Sequence, residues 1–239
     1  MKSKFNIVGL RGSIFIPQIK FSWDIVNNLL NNLVNYIPLV NNTGGPIFAN
    51  GQVMNPEEWS LSSSNNNSKL IFQAQKIDYI ETMEYQYDNA CIIDFSNKCK
   101  DLFNVFLEKD EFKSTRIAIA PTFKYNGDYN EFMSFVNAIY NKNVFKGSSI
   151  HNCDFSQVYR VKENIGNKEI ITNYLSKFYV TNNIITTNGV NQIQESLMLD
   201  LDINTKADPN IQFELKDIED FFNQAPVFCD TFMSFYFQD

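Results

Sequence analysis

Two runs with strand character, Phe5 to Ile16 and Thr115 to Tyr125, each open the same series of elements. In both, the strand leads to an amphipathic helix, then to strands joined by turns, then to a second helix. The second series starts about 110 residues after the first. That order constrains the fold more than any single motif. Hairpin-joined strands with helices between the groups give an antiparallel layout, not alternating parallel βαβ units. The expectation is an α+β fold, mainly an antiparallel sheet with helices packed on one face. It comprises two similar βαβββα-like halves, 1–112 and 113–239, forming one compact unit. No residue-level identity links the halves, so their relation rests on the order of elements alone.

The clearest helix is predicted over 22–37. Apolar pairs recur at Ile25/Val26, Leu29/Leu30 and Leu33/Val34, close with Ile37, and leave asparagines on the opposite face. Ser22 suits the N-cap, Phe21 and Val26 are spaced as a hydrophobic staple, and Pro38 stops the helix. After a loop at Gly44-Gly45-Pro46, a strand from Trp59 to Ser63 meets a Ser/Asn turn and pairs with one long strand, Lys69 to about Thr82. A helix over 89–108 follows, with Phe95, Cys99, Leu102, Phe103 and Phe106 on one stripe.

In the second series, Asn126-Gly127 is a turn, and Asp128 with Glu131 resembles a capping box opening a helix to about Asn141. Strands at Ser156–Asn164 and Glu169–Thr181 are joined across Ile165-Gly166-Asn167. Asn188-Gly189 is the strongest short hairpin signal and feeds a strand over 192–204. The last helix begins near Leu215, with Ile218, Phe221, Phe222 and Ala225 as its stripe. Pro226 is expected to kink or break it, leaving a second segment to about Phe235.

The chain has 239 residues, a formal charge of -7 and a pI near 4.8. An acidic balance argues against nucleic acid as a partner, because gripping phosphates requires clustered Lys and Arg. The Asn-, Phe- and Tyr-rich strands suit a base-stacking platform only if the fold gathers a local basic patch. No run approaches the roughly 18 apolar residues of a membrane span. Arg11 interrupts the first apolar run too early for a signal-peptide core. A cytoplasmic location follows as an expectation, with no membrane association and with reduced cysteines. Cys91, Cys99, Cys153 and Cys229 show no disulfide or zinc-ribbon spacing.

The best carboxylate pair is Asp200 and Asp202. Alternation along a strand puts both on one face, with Leu197, Leu199, Leu201 and Ile203 on the other. Such a pair, joined by Asp78 of another strand, can hold a divalent cation or work as acid and base. The same pattern is also how the wet face of a one-sided sheet reads, and that is the preferred reading. His151 and Cys153 stand two apart in a loop, where a zinc site needs two more ligands that Cys91 and Cys99 could supply only by coincidence of folding, so an ordinary polar loop is the preferred reading. Arg11 and Arg116 occupy comparable places in the two series and are candidate anion or ion-pair sites, with Asp24 and Asp128 as acids within reach. No P-loop, dinucleotide fingerprint, G-x-S-x-G elbow or His-Glu-x-x-His occurs, and no cofactor is expected. The Phe-rich stretch from Phe228 through Phe237 is read first as core and second as a dimer surface or a groove for a partner's apolar segment.

Two phrases, Thr115-Arg116-Ile117-Ala118-Ile119-Ala120-Pro121-Thr122-Phe123 and Leu199-Asp200-Leu201-Asp202-Ile203 with the helix at 215–225, resemble a sporadically distributed family of uncharacterised bacterial proteins of about this length. The resemblance covers most of the chain and brings no catalytic residues. It implies a conditional role, such as defence against mobile elements. Taken together, these readings favour a non-enzymatic binding or adaptor protein with a protein partner or a homodimeric state. The alternatives are a metal-assisted hydrolase using Asp78, Asp200 and Asp202, and a small-molecule or lipid carrier with a cavity between sheet and helices.

Overall fold

The computed structural model describes residues 2–17, 39–43, 47–49, 52–54, 58–63, 65–73, 75–107, 113–128, 130–134, 154–187 and 190–237. The strands are β1 Phe5–Phe15, β2 Leu39–Thr43, β3 Ile47–Ala49, β4 Gln52–Met54, β5 Glu58–Ser63, β6 Ser68–Gln73, β7 Lys76–Gln86, β8 Arg116–Tyr125, β9 Asp154–Ile165, β10 Lys168–Thr187 and β11 Val190–Thr205. The long helices are α1 Asn89–Leu107 and α2 Leu215–Tyr236. The helix read over 22–37 lies outside the described residues.

Among the described residues, a nine-stranded sheet runs in the order β2-β5-β6-β7-β1-β8-β11-β10-β9, and β3 pairs with β4 apart from it. Every pairing in the large sheet is antiparallel. The fold is therefore α+β around an antiparallel sheet. At its centre β1 pairs with β8, from Phe5 opposite Tyr125 to Phe15 opposite Arg116, so a single sheet crosses the expected 112/113 boundary. Outward from that pair lie β7, β6 and β5 on one side and β11, β10 and β9 on the other.

Strand β1 shows why strict alternation misreads its face. A register shift between Ile7 and Gly9 changes the parity, so Phe5 and Ile7 share the buried face with Leu10, Gly12 and Ile14 rather than with the odd-numbered residues beyond. A side chain added at Gly12 would touch Cys99 of α1 and Phe222 of α2. Aromatic contacts join the layers: Tyr79 stacks on Phe95 at 5.4 Å, Phe72 meets Phe106 at 5.6 Å and Phe103 meets Phe222 at 5.6 Å. Each such ring removes a large apolar area from water, and burying a Phe side chain contributes about 1.5–3 kcal/mol. The whole α1 stripe read from the sequence, Phe95, Cys99, Leu102, Phe103 and Phe106, is buried.

Two expectations about elements are corrected. The single strand over 69–82 is a hairpin, β6 and β7, with Gln73 opposite Lys76. Ala74-Gln75 carries no Gly, Asn or Pro, so nothing local announces the turn. Nor is α2 divided at Pro226, which lies inside one 22-residue helix and is buried. The missing hydrogen bond and ring clash cost about 3 kcal/mol. Burial on both sides of the proline, from Ile218, Phe221, Phe222 and Ala225 to Cys229 and Met233, offsets that cost.

The start of α2 is tied to the sheet. The Glu214 N–H donates to Asp217 Oδ2 at 2.8 Å, and Lys168, at the head of β10, pairs with the same carboxylate. Asp128 Oδ1 accepts the N–H groups of Asn130 and Glu131 at 2.8 and 3.1 Å, which opens the described helical residues 130–134 as expected. Glu131 is held by Lys4 at 2.6 Å and by the Tyr125 hydroxyl at 3.1 Å. These contacts keep its carboxyl below the usual range, the hydrogen bond from Lys4 contributing most.

Candidate functional site

The face of the sheet opposite the Leu10, Gly12 and Ile14 side carries the charged candidates. Cross-strand register places Asp78 opposite Ser13, Ser13 opposite Ala118 and Ala118 opposite Asn204. Asp200 stands opposite Thr122 and Lys177, and Asp202 opposite Leu175. Arg11, Thr122, Lys177, Asp200 and Asp202 line a shallow basin of about 390 Å³. The basin holds both signs of charge. Asp202 Oδ1 accepts from Asn204 at 2.9 Å, Lys177 pairs with Asp154 at 3.2 Å, and Asp200 Oδ1 is buried without a partner. Burial first, then the charge of Asp200, pushes Tyr179 up to about 12.

Asp78 does not join this basin. Strands β1 and β8 lie between β7 and β11, which at the usual strand spacing separates Asp78 from the other two carboxylates by about 14 Å across the sheet. Asp78 is instead a buried structural acid that accepts the Ser13 hydroxyl and pairs with Lys76 at 2.7 Å. Among the described residues, no three His, Cys, Asp or Glu side chains gather as a metal site.

Arg11 is exposed at the basin. Arg116 lies 5.0 Å over the Phe15 ring, its strand neighbour in register, and its Nε is buried without a hydrogen-bond partner. Its expected acid, Asp128, is engaged in capping. Asp24, His151 and Cys153 lie outside the described residues. Cys99 and Cys229 are buried, and burial raises both thiols, Cys229 to about 12. Cys91 is partly exposed and its thiol is also raised, mainly by desolvation. None of the three has the depressed pKa of an activated nucleophile.

A second feature lies where β9, the last strand of the sheet, passes the C-terminal half of α2. Tyr159, Val161, Glu163 and Tyr174 form one wall, and Phe228, Thr231, Phe232, Phe235 and Tyr236 the other, around a groove of about 410 Å³. The walls are almost wholly apolar, and Glu163 is the one charged side chain among the lining residues. Tyr174 donates to Glu163 Oε1, while Oε2 is buried without a partner. Burial, followed by this bond, raises the Tyr174 hydroxyl. Tyr159 and Tyr236 hydroxyls lie 3.0 Å apart, and both donate to Gln157 at 3.0 Å. Phe232 and Phe235 pack on Tyr236 at 4.7 and 5.0 Å. Yet Phe235 is 74% exposed, Tyr159 and Val161 are exposed in the same groove, and Val158 and Val227 are exposed as well.

The backbone beside this groove is also open. Gly166, with φ of 58°, takes the conformation that a type II′ turn requires of its first central residue, which makes Ile165 and Lys168 a hydrogen-bonded pair. Hydrogen-bonded and non-bonded pairs alternate along β9 and β10 from there, so the even-numbered residues of β9 turn their N–H and C=O groups outward. The Gln224 side chain donates to the Asn164 carbonyl at 3.4 Å, in keeping with that phase. Among the described residues, no strand pairs with 154–162 on this side.

Of this groove, sequence reading singled out the α2 wall, Phe228 through Phe237, and took it first as core; Cys229, Met233 and Phe237 are buried while Phe235 is not. It missed the β9 wall. The available signal was Val158-Tyr159, apolar neighbours that alternation sends to opposite faces, so one of them must face solvent or a partner. No helix among the described residues is long and apolar enough to cross a membrane. No protein-family model and no curated protein matches the sequence.

Proposed function

We propose that this chain is a non-enzymatic binding module of two related halves, which docks an extended segment of another protein along the open edge of β9. The single observation that carries this reading is the coincidence, among the described residues, of an unpaired sheet edge with exposed Val158, Tyr159, Val161 and Phe235. An unpaired edge of this length is a template for another strand. The partner's backbone satisfies the outward N–H and C=O groups, and its side chains opposite Tyr159 and Val161 project into the groove beside α2. A net charge of -7 favours a basic partner over a second copy, since two copies repel. The two-half reading is supported by the mirrored strand order on either side of the β1/β8 pair. Helices backing one face of that sheet leave its edges for recognition. By the family resemblance, such a module works in the cytoplasm in a conditional role, such as defence against mobile elements.

The test compares tagged wild-type chain with Val158→Lys and Phe235→Asp for co-purifying protein from the host. Both replaced side chains are exposed, so the variants should fold. The expected result is one stoichiometric partner bound by the wild type and lost by both variants. No partner, together with a monomer by light scattering, overturns the reading. A dimer of this chain alone replaces the basic partner with a second copy.

A further inference from the structure

We infer that the groove between β9 and α2 is an arginine pocket, so that the segment docked on β9 presents an arginine side chain to Glu163 between aromatic walls. The inference rests on the proposed docking function and names the chemistry of its ligand. Three observations support it. Glu163 Oε2 is buried and has no hydrogen-bond partner, although its residue lines an open groove. That oxygen has lost water without gaining a donor, although Oε1 accepts from Tyr174, and an arriving cation supplies what is missing. The groove is walled by Tyr159, Tyr174, Phe228, Phe232, Phe235 and Tyr236, whose π faces attract a cation placed over them. Among the described residues no lysine or arginine lines the groove, so the ligand is the source of the positive charge.

Arginine fits this chemistry better than lysine. A guanidinium is planar and weakly hydrated, stacks on rings and meets a carboxylate through paired N–H groups. An ammonium keeps its water more strongly, and the groove offers it few acceptors beyond Glu163 and the hydroxyls of Thr231 and the tyrosines. Residues of the docked strand opposite Tyr159 and Val161 belong to non-hydrogen-bonded pairs, where side chains approach most closely. A long side chain from such a position can lean under α2.

The probes are N-acetyl-arginine methylamide and its neutral isostere, N-acetyl-citrulline methylamide, titrated into the full chain by calorimetry. Arginine is expected to bind about tenfold tighter than citrulline. Glu163→Gln should abolish most of that preference while still accepting the Tyr174 hydroxyl, so the melting temperature should hold. Phe235→Ala, at an exposed position, should weaken arginine binding without unfolding the chain. Equal binding of the two probes, or an arginine preference that Glu163→Gln leaves whole, overturns the inference. If arginine shows no preference while a partner is still captured, this inference falls and the docking function stands. If arginine is preferred but no partner is found, the pocket stands and the docking function falls.

Discussion

Replacing Gly12 with alanine tests whether both long helices close on the same point of the sheet. An added Cβ would lie 2.4 Å from Cys99 Sγ and 3.4 and 3.5 Å from two atoms of the Phe222 ring. Comfortable contacts lie near 3.5–4.0 Å, so α1 must retreat by more than about 1 Å at Cys99 while Phe222 can nearly hold its place. Cys99 and Phe222 are wholly buried, and a close-packed interior transmits such a displacement rather than absorbing it. Overpacking of this kind costs about 1–3 kcal/mol, and the strand regains about 0.5–1 kcal/mol when glycine becomes alanine, leaving a net loss of about 1 kcal/mol at the middle of these ranges. For a chain of this size that lowers the melting temperature by about 2–4 °C. Urea unfolding followed by far-ultraviolet circular dichroism gives the free energies. The decisive comparison is with Cys99→Ala, which removes the struck sulfur and by itself costs about 1–2 kcal/mol. If the clash is with Cys99, the double variant should lose at least about 1 kcal/mol less than the sum of the single losses. Additive losses would refute the packing argument, and an unchanged Gly12→Ala stability would refute it outright.

Further outcomes follow from the same contacts. Gly166→Ala should destabilise by at least about 1 kcal/mol in the same urea assay, because φ is 58° and the new Cβ would meet Asp217 Oδ1 at 2.3 Å. Asp78→Ala should cost about 1–3 kcal/mol by stranding the Ser13 hydroxyl and the Lys76 ammonium, and an unaltered urea midpoint would argue against its structural role. Burial raises Tyr125 and Tyr179 from 10.0 to about 12 and raises Tyr79, Tyr87 and Tyr174 as well. The folded chain therefore holds protons that the unfolded chain releases above pH 10, so stability should be intact below that pH and fall between pH 10 and 12. Tyrosinate absorbance that rises in advance of unfolding would contradict this. Phe235→Asp should leave the melting temperature within a degree or two, since exposed substitutions stay within about 0.5 kcal/mol, while removing partner binding.

How much of this was legible in the sequence depends on the range of the interaction concerned. The stripe of α1, the hairpin at Gly166 and the Asp128 cap are set by side-chain period and turn chemistry within a few residues, and the sequence displays them. The break between β6 and β7 has no turn residue, so only pairing partners far along the chain fix it. Pro226 illustrates the limit from the other side: its local cost is plain in the sequence, and the burial that overrides it is not.

The candidate sites divide the same way. Alternation alone put Asp200 and Asp202 on one face, and the structure finds both in the basin with Arg11. Only the strand order β7-β1-β8-β11 could separate Asp78 from them, because distance between strands depends on which strands become neighbours. The docking groove is tertiary in origin as well. Composition marked Phe228 through Phe237 as more apolar than a surface helix needs, but a strand becomes an edge only by where the sheet stops. Glu163 looks ordinary in the sequence. Packing beside α2 buries one of its carboxylate oxygens and leaves that oxygen without a donor.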